Sequence, residues 1–488
     1  MQSKLLKSSY LLVLMRLIYR SLGIISMLVL ARLLVPEDFG IIAIAGLFIF
    51  FFDVLSNTGI QQYLAQKESV DSEDVDSAWT LDIIIKSVMA FLCLALSPAV
   101  GYFYDNPDIG YAVATLSLAI IFRALMNPGL HVMRRNLEYQ VIFKISVLQK
   151  VLAVAVVISI AAYFKSFWAM IAGDILSALA GVFFSYKYCD IRPSLSKKRI
   201  REQWDFSKWM LSRGFVGYAR AQIDVFLVSR LFPLNALGQY NLSKEITVMP
   251  AFDVIGPAVE PLIATFSKQR YNFDELRKQF SNALLIILLF VSPICFFLFF
   301  HSELVISVAL GEKWSAAIPI TKALSLMLFA FSIGHILNNL FFALGRVKEI
   351  FIYDILSLGI IISVLISLTF QDIVDFSYWR GGIALTVTFA FFIYAIYSIQ
   401  LKLTKVLITL LLPTTCSFAA SFTLHHYDYD INIVQFFLIG TLFVLFYILL
   451  IFSISFCFKQ QSNTCNLIYE QFVKYINTLK IRILKDTD

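Results

Sequence analysis

The chain has 488 residues, of which 59% are hydrophobic and only 15% are charged, and its mean hydropathy is +0.78. A soluble globular chain carries about 25% charged residues, so this composition excludes a soluble enzyme, a nucleic-acid-binding protein and a disordered chain. The length leaves room for roughly a dozen or more helical spans of about 20 residues each. The composition therefore predicts an all-α polytopic membrane protein.

Fourteen segments are long and apolar enough to cross a bilayer as helices when an isolated polar residue is tolerated within them. In chain order, the predicted spans are 9–34, 39–65, 79–104, 110–131, 145–163, 166–187, 204–231, 236–264, 278–300, 316–343, 350–370, 380–400, 406–424 and 431–458. Arg16 and Arg20 interrupt the first span, and no small-residue cleavage site follows it. We therefore interpret it as a retained helix and not as a cleaved signal peptide.

Lysine and arginine residues outside the spans fall in alternate connections. One set of connections holds most of them, whereas the opposite set holds only Lys165 and Lys313. Basic connections stay in the cytoplasm, so this asymmetry predicts two cytoplasmic termini and accounts for the net charge of +7 without nucleic acid. The acidic connection 66–78 fits this orientation poorly. In the tail 459–488, residues 466–483 have apolar side chains at helical spacing, which predicts an amphipathic helix on the inner membrane surface; a partly ordered tail explains the pattern equally well.

No motif in the chain indicates a cofactor or a catalytic centre. The six cysteines lack CxxC or metal-binding spacing, and no Walker, GxGxxG or nucleophile-elbow motif occurs. The outward loop 425–430 contains two histidines and two aspartates, but short polar loops commonly have this composition, and it joins two charge-free spans. The sequence therefore predicts no metal and no cofactor, and it does not support ATP-driven pumping or hydrolase chemistry.

A short segment recurs in the two halves of the chain. Residues 31–40, ARLLVPEDFG, return as residues 229–238, SRLFPLNALG, with Arg, Leu and Gly at one offset of 198 residues. Chance similarity between apolar helices competes with this interpretation. The repeat predicts two related six-helix lobes joined by a basic cytoplasmic linker and followed by two further helices. The corresponding boundaries are 1–187 for the N-lobe, 188–203 for the linker, 204–401 for the C-lobe and 402–458 for the last two helices.

Charged residues are distributed unevenly among the predicted spans. Spans 9, 12, 13 and 14 carry essentially none, whereas spans 1, 2, 7 and 8, which open the two repeats, carry many. An ionised side chain in hydrocarbon costs about 3 kcal/mol or more, so it normally faces a cavity or a partner. Arginine stays charged and holds phosphate oxygens bidentately. We therefore predict a hydrophilic cleft between the lobes that binds a headgroup phosphate through Arg16, Arg20, Arg213 and Arg220.

Other interpretations compete for some of these arginines. Arg16 and Arg213 lie toward the cytoplasmic half of their spans, where snorkelling to the interface explains them equally well. Arg32 and Arg230 end their helices near the outer surface, where the helix dipole or lipid phosphates account for them.

Acidic residues in the same spans are candidates for proton or cation coupling, or for ion pairs with the arginines. They are Asp53, Asp224, Asp253 and Glu260. Asp253 and Glu260 are seven residues apart and so are expected to share a face of span 8. Three prolines in that span, at 250, 257 and 261, predict a bend or a break. Weaker candidates of the same kind are Asp82, Lys86, Arg123, Asp174, His335 and Asp354.

Residues 32–40, RLLVPEDFG, resemble the turn between the first two helices of the polysaccharide transporter (Wzx, WzxC-like) flippases. These belong to the multidrug/oligosaccharidyl-lipid/polysaccharide (MOP) superfamily. Segments 103–107 (FYDNP), 134–139 (RRNLEY) and 237–240 (LGQY), together with Asp224, support the match. The resemblance extends from about residue 5 to 400.

The resemblance implies a two-lobed, V-shaped transporter in the bacterial cytoplasmic membrane. Such a protein moves an undecaprenyl-diphosphate-linked oligosaccharide, the repeat unit of an O-antigen, capsule or exopolysaccharide, to the outer leaflet by alternating access. The implied partners are this lipid-linked substrate, membrane lipids and polysaccharide polymerase machinery.

Two alternatives are weighed against this interpretation. A MATE-like cation-coupled antiporter shares the fold, but it favours an acidic or aromatic cavity, whereas spans 1 and 7 carry more arginine than carboxylate. A membrane-embedded glycosyltransferase or polymerase needs a sizeable outward domain, and the longest outward segment here is 301–315. The sequence therefore favours a flippase and not an enzyme.

Overall fold

The computed structural model describes residues 2–67, 69–426, 431–458, 465, 466 and 468–470, with side chains except those of 2–10, 65, 209–214 and 403–405. All secondary structure in these residues is helical. The chain divides into two compact units, Met1–Asn241 and Leu242–Asp488. The predicted tail helix lies almost entirely outside the described residues.

The first unit contains nine helices among the described residues, together with the first half of a tenth. They are α1 (Gln2–Leu33), α2 (Pro36–Leu55), α3 (Ile60–Gln66), α4 (Ser72–Phe103), α5 (Pro107–Ala124), α6 (Gly129–Arg135), α7 (Tyr139–Phe164), α8 (Trp168–Tyr188), α9 (Ile200–Leu231) and α10 (Leu234–Met249). The unit thus includes α9, and the lobe boundaries inferred from the repeat stay a prediction.

The second unit begins within α10, which continues directly into a π-helical segment, Pro250–Ile255. Its other helices are α11 (Gly256–Val259), α12 (Leu262–Lys268), α13 (Phe273–Phe300), α14 (Ser302–Ala309), α15 (Ala317–Ala343), α16 (Val347–Ser367), α17 (Ile373–Ser398), α18 (Leu403–His425) and α19 (Ile433–Phe458). A short 3-10 turn, Glu312–Trp314, precedes α15.

By length and composition, twelve of the described helices can cross a membrane. A thirteenth span is the pair Leu234–Val259 and Leu262–Lys268, which is bent by 41°. α9 has 32 residues but is not counted with them because charged residues recur along it; it occupies the position of the predicted seventh span. The prediction of an all-α polytopic protein is confirmed, and the predicted count of fourteen spans is approximate.

Several helices begin earlier than predicted because a polar side chain caps them. Asp71 accepts a hydrogen bond from the backbone N–H of Asp74 at 2.8 Å and caps α4, which was expected to begin at 79. Asp372 caps α17 in the same way, and that span was expected to begin at 380. Such caps satisfy backbone donors at the helix start. The polar first turns therefore belong to the helices, which a search for apolar runs does not reveal.

Within the first unit, the two turns of the predicted repeat lie against each other. A Cβ built on Gly40 would lie 2.2 Å from the carbonyl oxygen of Leu234, and one built on Gly238 would lie 1.9 Å from that of Pro36. Pro36 and Leu234 are the first residues of α2 and α10, and they too are separated by the repeat offset. Each helix start therefore packs on the glycine of the other, and only glycine permits so close an approach of two backbones.

The basic segment 188–203 packs along the start of α4, against the acidic connection that fits the predicted orientation poorly. Arg199 donates to Asp74 at 2.5 Å. Ser194 donates to Asp76 from its backbone nitrogen at 3.0 Å and from its hydroxyl at 2.6 Å. The two connections therefore lie on the same side of the spans, and the basic one compensates the charge of the acidic one.

Candidate functional site

Three charged side chains from three helices of the first unit meet around Arg123. Nη2 of Arg123 on α5 donates to both carboxylate oxygens of Asp174 on α8, at 2.9 and 2.8 Å. Its Nη1 lies 3.6 Å from Oδ1 of Asp53 on α2. The side chains of Arg123, Asp174 and Asp53 are 32, 39 and 34% exposed. Since these helices are candidate membrane spans, the three charges are partly exposed within the membrane-spanning part of the unit, where a charge normally faces a cavity or a partner.

Two further helices, α1 and α7, contribute polar side chains to this group. Nζ of Lys150 on α7 lies 4.7 Å from the centroid of the Tyr19 ring on α1, which is within cation–π distance. Tyr19 also lies within range of the charges of Asp174 and Arg123. Five helices thus contribute to one group, which we call the Arg123 cluster: Tyr19, Asp53, Arg123, Lys150 and Asp174.

The predicted headgroup arginines on α1, Arg16 and Arg20, are close in sequence to Tyr19 of this cluster. Arg16 is exposed, whereas Arg20 is partly buried and its Nε atom is fully buried. Arg20 directly follows Tyr19, so it lies on the adjoining strip of the helix surface. The role of both arginines in phosphate binding stays a prediction.

The predicted residues on α9 have different surroundings. Arg220 is partly buried, and the side chain of Arg213 lies outside the described residues. Asp224 is completely buried and accepts a hydrogen bond from the hydroxyl of Tyr240 on α10 at 3.0 Å. Tyr240 is itself completely buried. The Asp224–Tyr240 contact joins α9 to α10, and the role of Asp224 in ion pairing or coupling stays a prediction.

We expect Tyr240→Phe to destabilise the protein because it removes one hydrogen bond to a buried carboxylate. A hydrogen bond to a charged group contributes about 1.5–3 kcal/mol. Thermal unfolding of the purified protein should therefore occur at a clearly lower temperature in this variant. Tyr102→Phe is the control, because Tyr102 is 86% exposed. Equal unfolding temperatures in the two variants would contradict the structural role of the contact.

The predicted break in span 8 is confirmed, and each proline lies at a segment boundary. Pro250 is the first residue of the π-helical segment, Pro257 is the second residue of α11, and Pro261 lies between α11 and α12. Asp253 lies in the π-helical segment and Glu260 at the break, and both are exposed. Asp253 and Glu260 were expected to share a face because they are seven residues apart in a regular α-helix. That spacing does not hold in this segment, because a π-helix has more residues per turn. Their coupling role stays a prediction.

The turn at residues 32–40, which carries the resemblance, has a structural explanation. The Asp38 carboxylate accepts hydrogen bonds from the backbone N–H of Val35 at 3.2 Å and of Phe167 at 3.1 Å. It therefore fixes its own turn and ties the start of α2 to the start of α8. With Gly40 packed on Leu234, this motif shapes the scaffold near the polar residues and does not itself form the site.

Sequence reasoning missed or undervalued several polar residues. Arg123 and Asp174 were weaker candidates, yet they form the centre of the observed cluster. Lys150 was not considered, although a lysine within the otherwise apolar span 145–163 is a visible signal. Span 12 was expected to carry essentially no charge, and its predicted first residue, Arg380, is only 2% exposed within α17. The capped helix start places Arg380 two turns inside the helix rather than at its end.

Each unit contains an apolar groove. One, of about 700 Å³, is lined by Ile160 and Trp168 among others; the other, of about 530 Å³, is lined by Ile360 and Trp379 among others. No charged side chain lines either groove, so neither is the predicted headgroup site.

The described part of the chain contains no group of three or more His, Cys, Asp or Glu side chains that could hold a metal ion. Of the polar outward loop, residues 427–430 lie outside the described residues.

Comparison with known proteins places this chain in a family. Residues 29–319 match the family model described as "Polysaccharide biosynthesis protein". The chain belongs to this polysaccharide biosynthesis protein family. The predicted resemblance to the polysaccharide transporter group of the MOP superfamily is confirmed.

Curated relatives are bacterial proteins of surface polysaccharide synthesis. The chain is 26% identical to lipopolysaccharide biosynthesis protein WzxC of Escherichia coli over 349 residues, covering 68% of this chain and 69% of the relative. It is 22% identical to teichuronic acid biosynthesis protein TuaB of Bacillus subtilis, covering 62 and 64% of the two chains. It is 21% identical to succinoglycan biosynthesis transport protein ExoT of Rhizobium meliloti, covering 61% of each. The aligned part thus spans about two thirds of the length of these relatives.

Solved structures identify the fold. The lipid II flippase MurJ, in an inward closed conformation, matches with a TM-score of 0.72 and 14% identity, covering 93% of this chain and 99% of that chain. An inward-facing MATE transporter of the MOP superfamily matches with a TM-score of 0.60 and 12% identity, covering 79 and 94%. The chain therefore has the MOP-superfamily fold, as the resemblance implies.

Proposed function

We propose that this chain is a flippase that moves an undecaprenyl-diphosphate-linked oligosaccharide across the bacterial inner membrane by alternating access. The observation that carries this proposal is the Arg123 cluster, in which ionised side chains stay exposed within candidate membrane spans. A wet, partly basic space in the membrane suits the charged headgroup of such a lipid. The names of WzxC and ExoT, and the flippase fold of MurJ, support a substrate of this class.

Within this function, we propose that the arginines at 16, 20, 213 and 220 bind the headgroup phosphates. The acidic residues at 53, 224, 253 and 260 serve as ion-pair partners or coupling groups. Both termini are cytoplasmic, the lobes are 1–187 and 204–401, and polysaccharide polymerase machinery is a partner that receives the translocated unit.

The alternatives are less favoured. A MATE-like antiporter has the same fold, but the polysaccharide family and the higher TM-score of the lipid II flippase favour a lipid-linked sugar. A glycosyltransferase or polymerase is disfavoured because ExoT is named as a transport protein.

Deleting the gene and following lipid-linked oligosaccharide tests the proposal. We expect the complete oligosaccharide to accumulate on the cytoplasmic face with normal sugar composition, because synthesis continues while translocation stops. Labelling of the sugar with a membrane-impermeant reagent in spheroplasts and inverted vesicles measures the sidedness. Unpolymerised units on the outer face would instead identify a polymerase and overturn the proposal.

We expect Arg20→Ala and Arg220→Ala to abolish surface glycan without lowering protein abundance, because each removes a positive charge from the substrate pathway. Arg32→Ala is the matched control on α1, since Arg32 ends the helix near the predicted outer surface. Surface glycan and membrane abundance are measured in the same cells. Full activity in both variants would remove these residues from the site but leave the family assignment intact.

A further inference from the structure

The Arg123 cluster is an open ion-pair group, unlike the Asp82–Lys86 pair on α4. Asp82 on α4 accepts from Lys86 at 2.7 Å and from the hydroxyl of Thr58 at 2.7 Å, and the Asp82 and Lys86 side chains are only 9 and 18% exposed. The Asp82–Lys86 pair is closed. In the Arg123 cluster, all three paired side chains are between 32 and 39% exposed, so a ligand can reach the guanidinium.

The Arg123 guanidinium holds two carboxylates through different nitrogens. Asp174 presents both carboxylate oxygens to Nη2 of Arg123, while Asp53 lies farther away at 3.6 Å on Nη1. A guanidinium that accommodates two carboxylate oxygens also accommodates two oxygens of a phosphate. The loosely held Asp53 and the exposed Asp174 are the groups that an arriving anion would displace.

A second cation is connected to the Arg123–Asp174 pair through Tyr19. Lys150 lies over the Tyr19 ring at 4.7 Å, and Tyr19 lies within range of the charges of Arg123 and Asp174. A ligand with two phosphates carries more negative charge than one carboxylate, so it gains more from two neighbouring cations than Asp174 does. The arrangement therefore favours a diphosphate over a single carboxylate.

We propose that Arg123 is a diphosphate-binding residue of the translocation pathway, and that Asp174 is its resting occupant, displaced when the substrate headgroup binds. The inference rests on the proposed function and adds to it a binding residue that lies outside the arginines of α1 and α9. Displacement keeps the arginine paired at every stage: with Asp174 when the site is empty, and with phosphate when it is loaded. An arginine without a partner in this part of the protein would be costly.

The proposal predicts opposite effects for the two partners of one ion pair. Asp174→Asn removes the competitor and should tighten binding of inorganic pyrophosphate about threefold or more, whereas Arg123→Gln should weaken it about tenfold or more. Titration calorimetry of the full-length protein in phosphatidylcholine nanodiscs measures both. Weaker pyrophosphate binding in both variants would overturn the proposal. If the ion pair were purely structural, removing either partner would weaken binding.

Two further variants keep the test decisive. Arg123→Lys retains the charge that an ion pair needs but loses the planar fork, so we expect a folded protein with pyrophosphate binding between those of wild type and Arg123→Gln. Lys86→Gln breaks the closed pair on α4 and should leave pyrophosphate affinity unchanged. Wild-type affinity in Arg123→Lys and Arg123→Gln alike would overturn the assignment.

The lipid composition of the nanodisc distinguishes the source of the phosphate. Wild-type protein should bind pyrophosphate equally well in phosphatidylcholine and phosphatidylglycerol discs; loss of binding in phosphatidylglycerol would show that bulk lipid headgroups fill the site, and would overturn the proposal. Surface glycan in cells separates this inference from the proposed function. Normal glycan with Arg123→Gln, together with its loss on gene deletion, rejects the role of Arg123 and keeps the flippase.

Discussion

Gly238→Ala should destabilise the protein strongly, although it adds a single methyl group. The added Cβ would lie 1.9 Å from the carbonyl oxygen of Pro36, and a backbone atom cannot move aside as the end of a side chain can. Relief requires the starts of α2 and α10 to separate by more than 1 Å. Overpacking of this kind costs about 1–3 kcal/mol, and more where backbone must move. Thermal unfolding and membrane abundance of the full-length protein measure the effect.

Gly40→Ala should behave in the same way, because its Cβ would lie 2.2 Å from the carbonyl oxygen of Leu234. The matched control is Gly46→Ala on the same helix, where no atom lies within 4 Å of the added Cβ. Alanine favours a helix over glycine by about 1 kcal/mol, so this control should be neutral or slightly stabilising. Unfolding temperatures of Gly40→Ala and Gly238→Ala equal to that of Gly46→Ala would refute the close contact of the two turns.

Asp74→Ala should release the basic segment 188–203 from the start of α4. The Asp74 side chain is only 2% exposed, and it accepts from Lys67 and, at 2.5 Å, from Arg199. Removing one member of a buried ion pair leaves its partners uncompensated and costs about 3–5 kcal/mol; the partial exposure of Arg199 places the expected loss near the lower end. A lower unfolding temperature and faster proteolysis within 188–203 are the expected results.

Glu73→Ala is the control for Asp74→Ala. Glu73 pairs with Lys198, but the two side chains are 42 and 70% exposed, and exposed pairs contribute about 0–1 kcal/mol. Equal losses of stability in the two variants would show that burial does not distinguish these pairs.

Burial alone would lower the pKa of Lys67, but hydrogen bonds to Asp74, Tyr63 and Glu202 raise this pKa above its ordinary value.

The pH dependence of this network follows from the raised pKa of Lys67. A folded-state pKa above the unfolded one means that the contribution of Lys67 to stability is complete below the unfolded value and is lost only as the pH rises through the folded one. Hydrogen bonds to Asp74 likewise raise the pKa of the Arg199 guanidinium. The difference in unfolding free energy between Asp74→Ala and wild type should therefore be the same at pH 7 and pH 8.

The sequence alone was sufficient for the class of protein and the position of its helices. Low charge and long apolar runs leave only a membrane-spanning helical bundle, and each predicted span corresponds to a helix or a broken helix. The prolines at 250, 257 and 261 predicted the broken span because proline removes a backbone donor wherever it lies. The turn at 32–40 indicated the family because its Pro, Asp and Gly each satisfy a local geometric requirement.

The tertiary structure decided which charges meet. Arg123, Asp174 and Lys150 lie in spans that the sequence treats as ordinary, and nothing in their spacing shows that α5, α7 and α8 bring them together. Asp224 accepts a hydrogen bond from Tyr240, which lies sixteen residues later on the next helix. Periodicity reports which face of one helix is apolar, whereas a site depends on the rotation and depth of several helices at once. Those are set by packing contacts such as Gly40 on Leu234, which involve residues far apart in the chain.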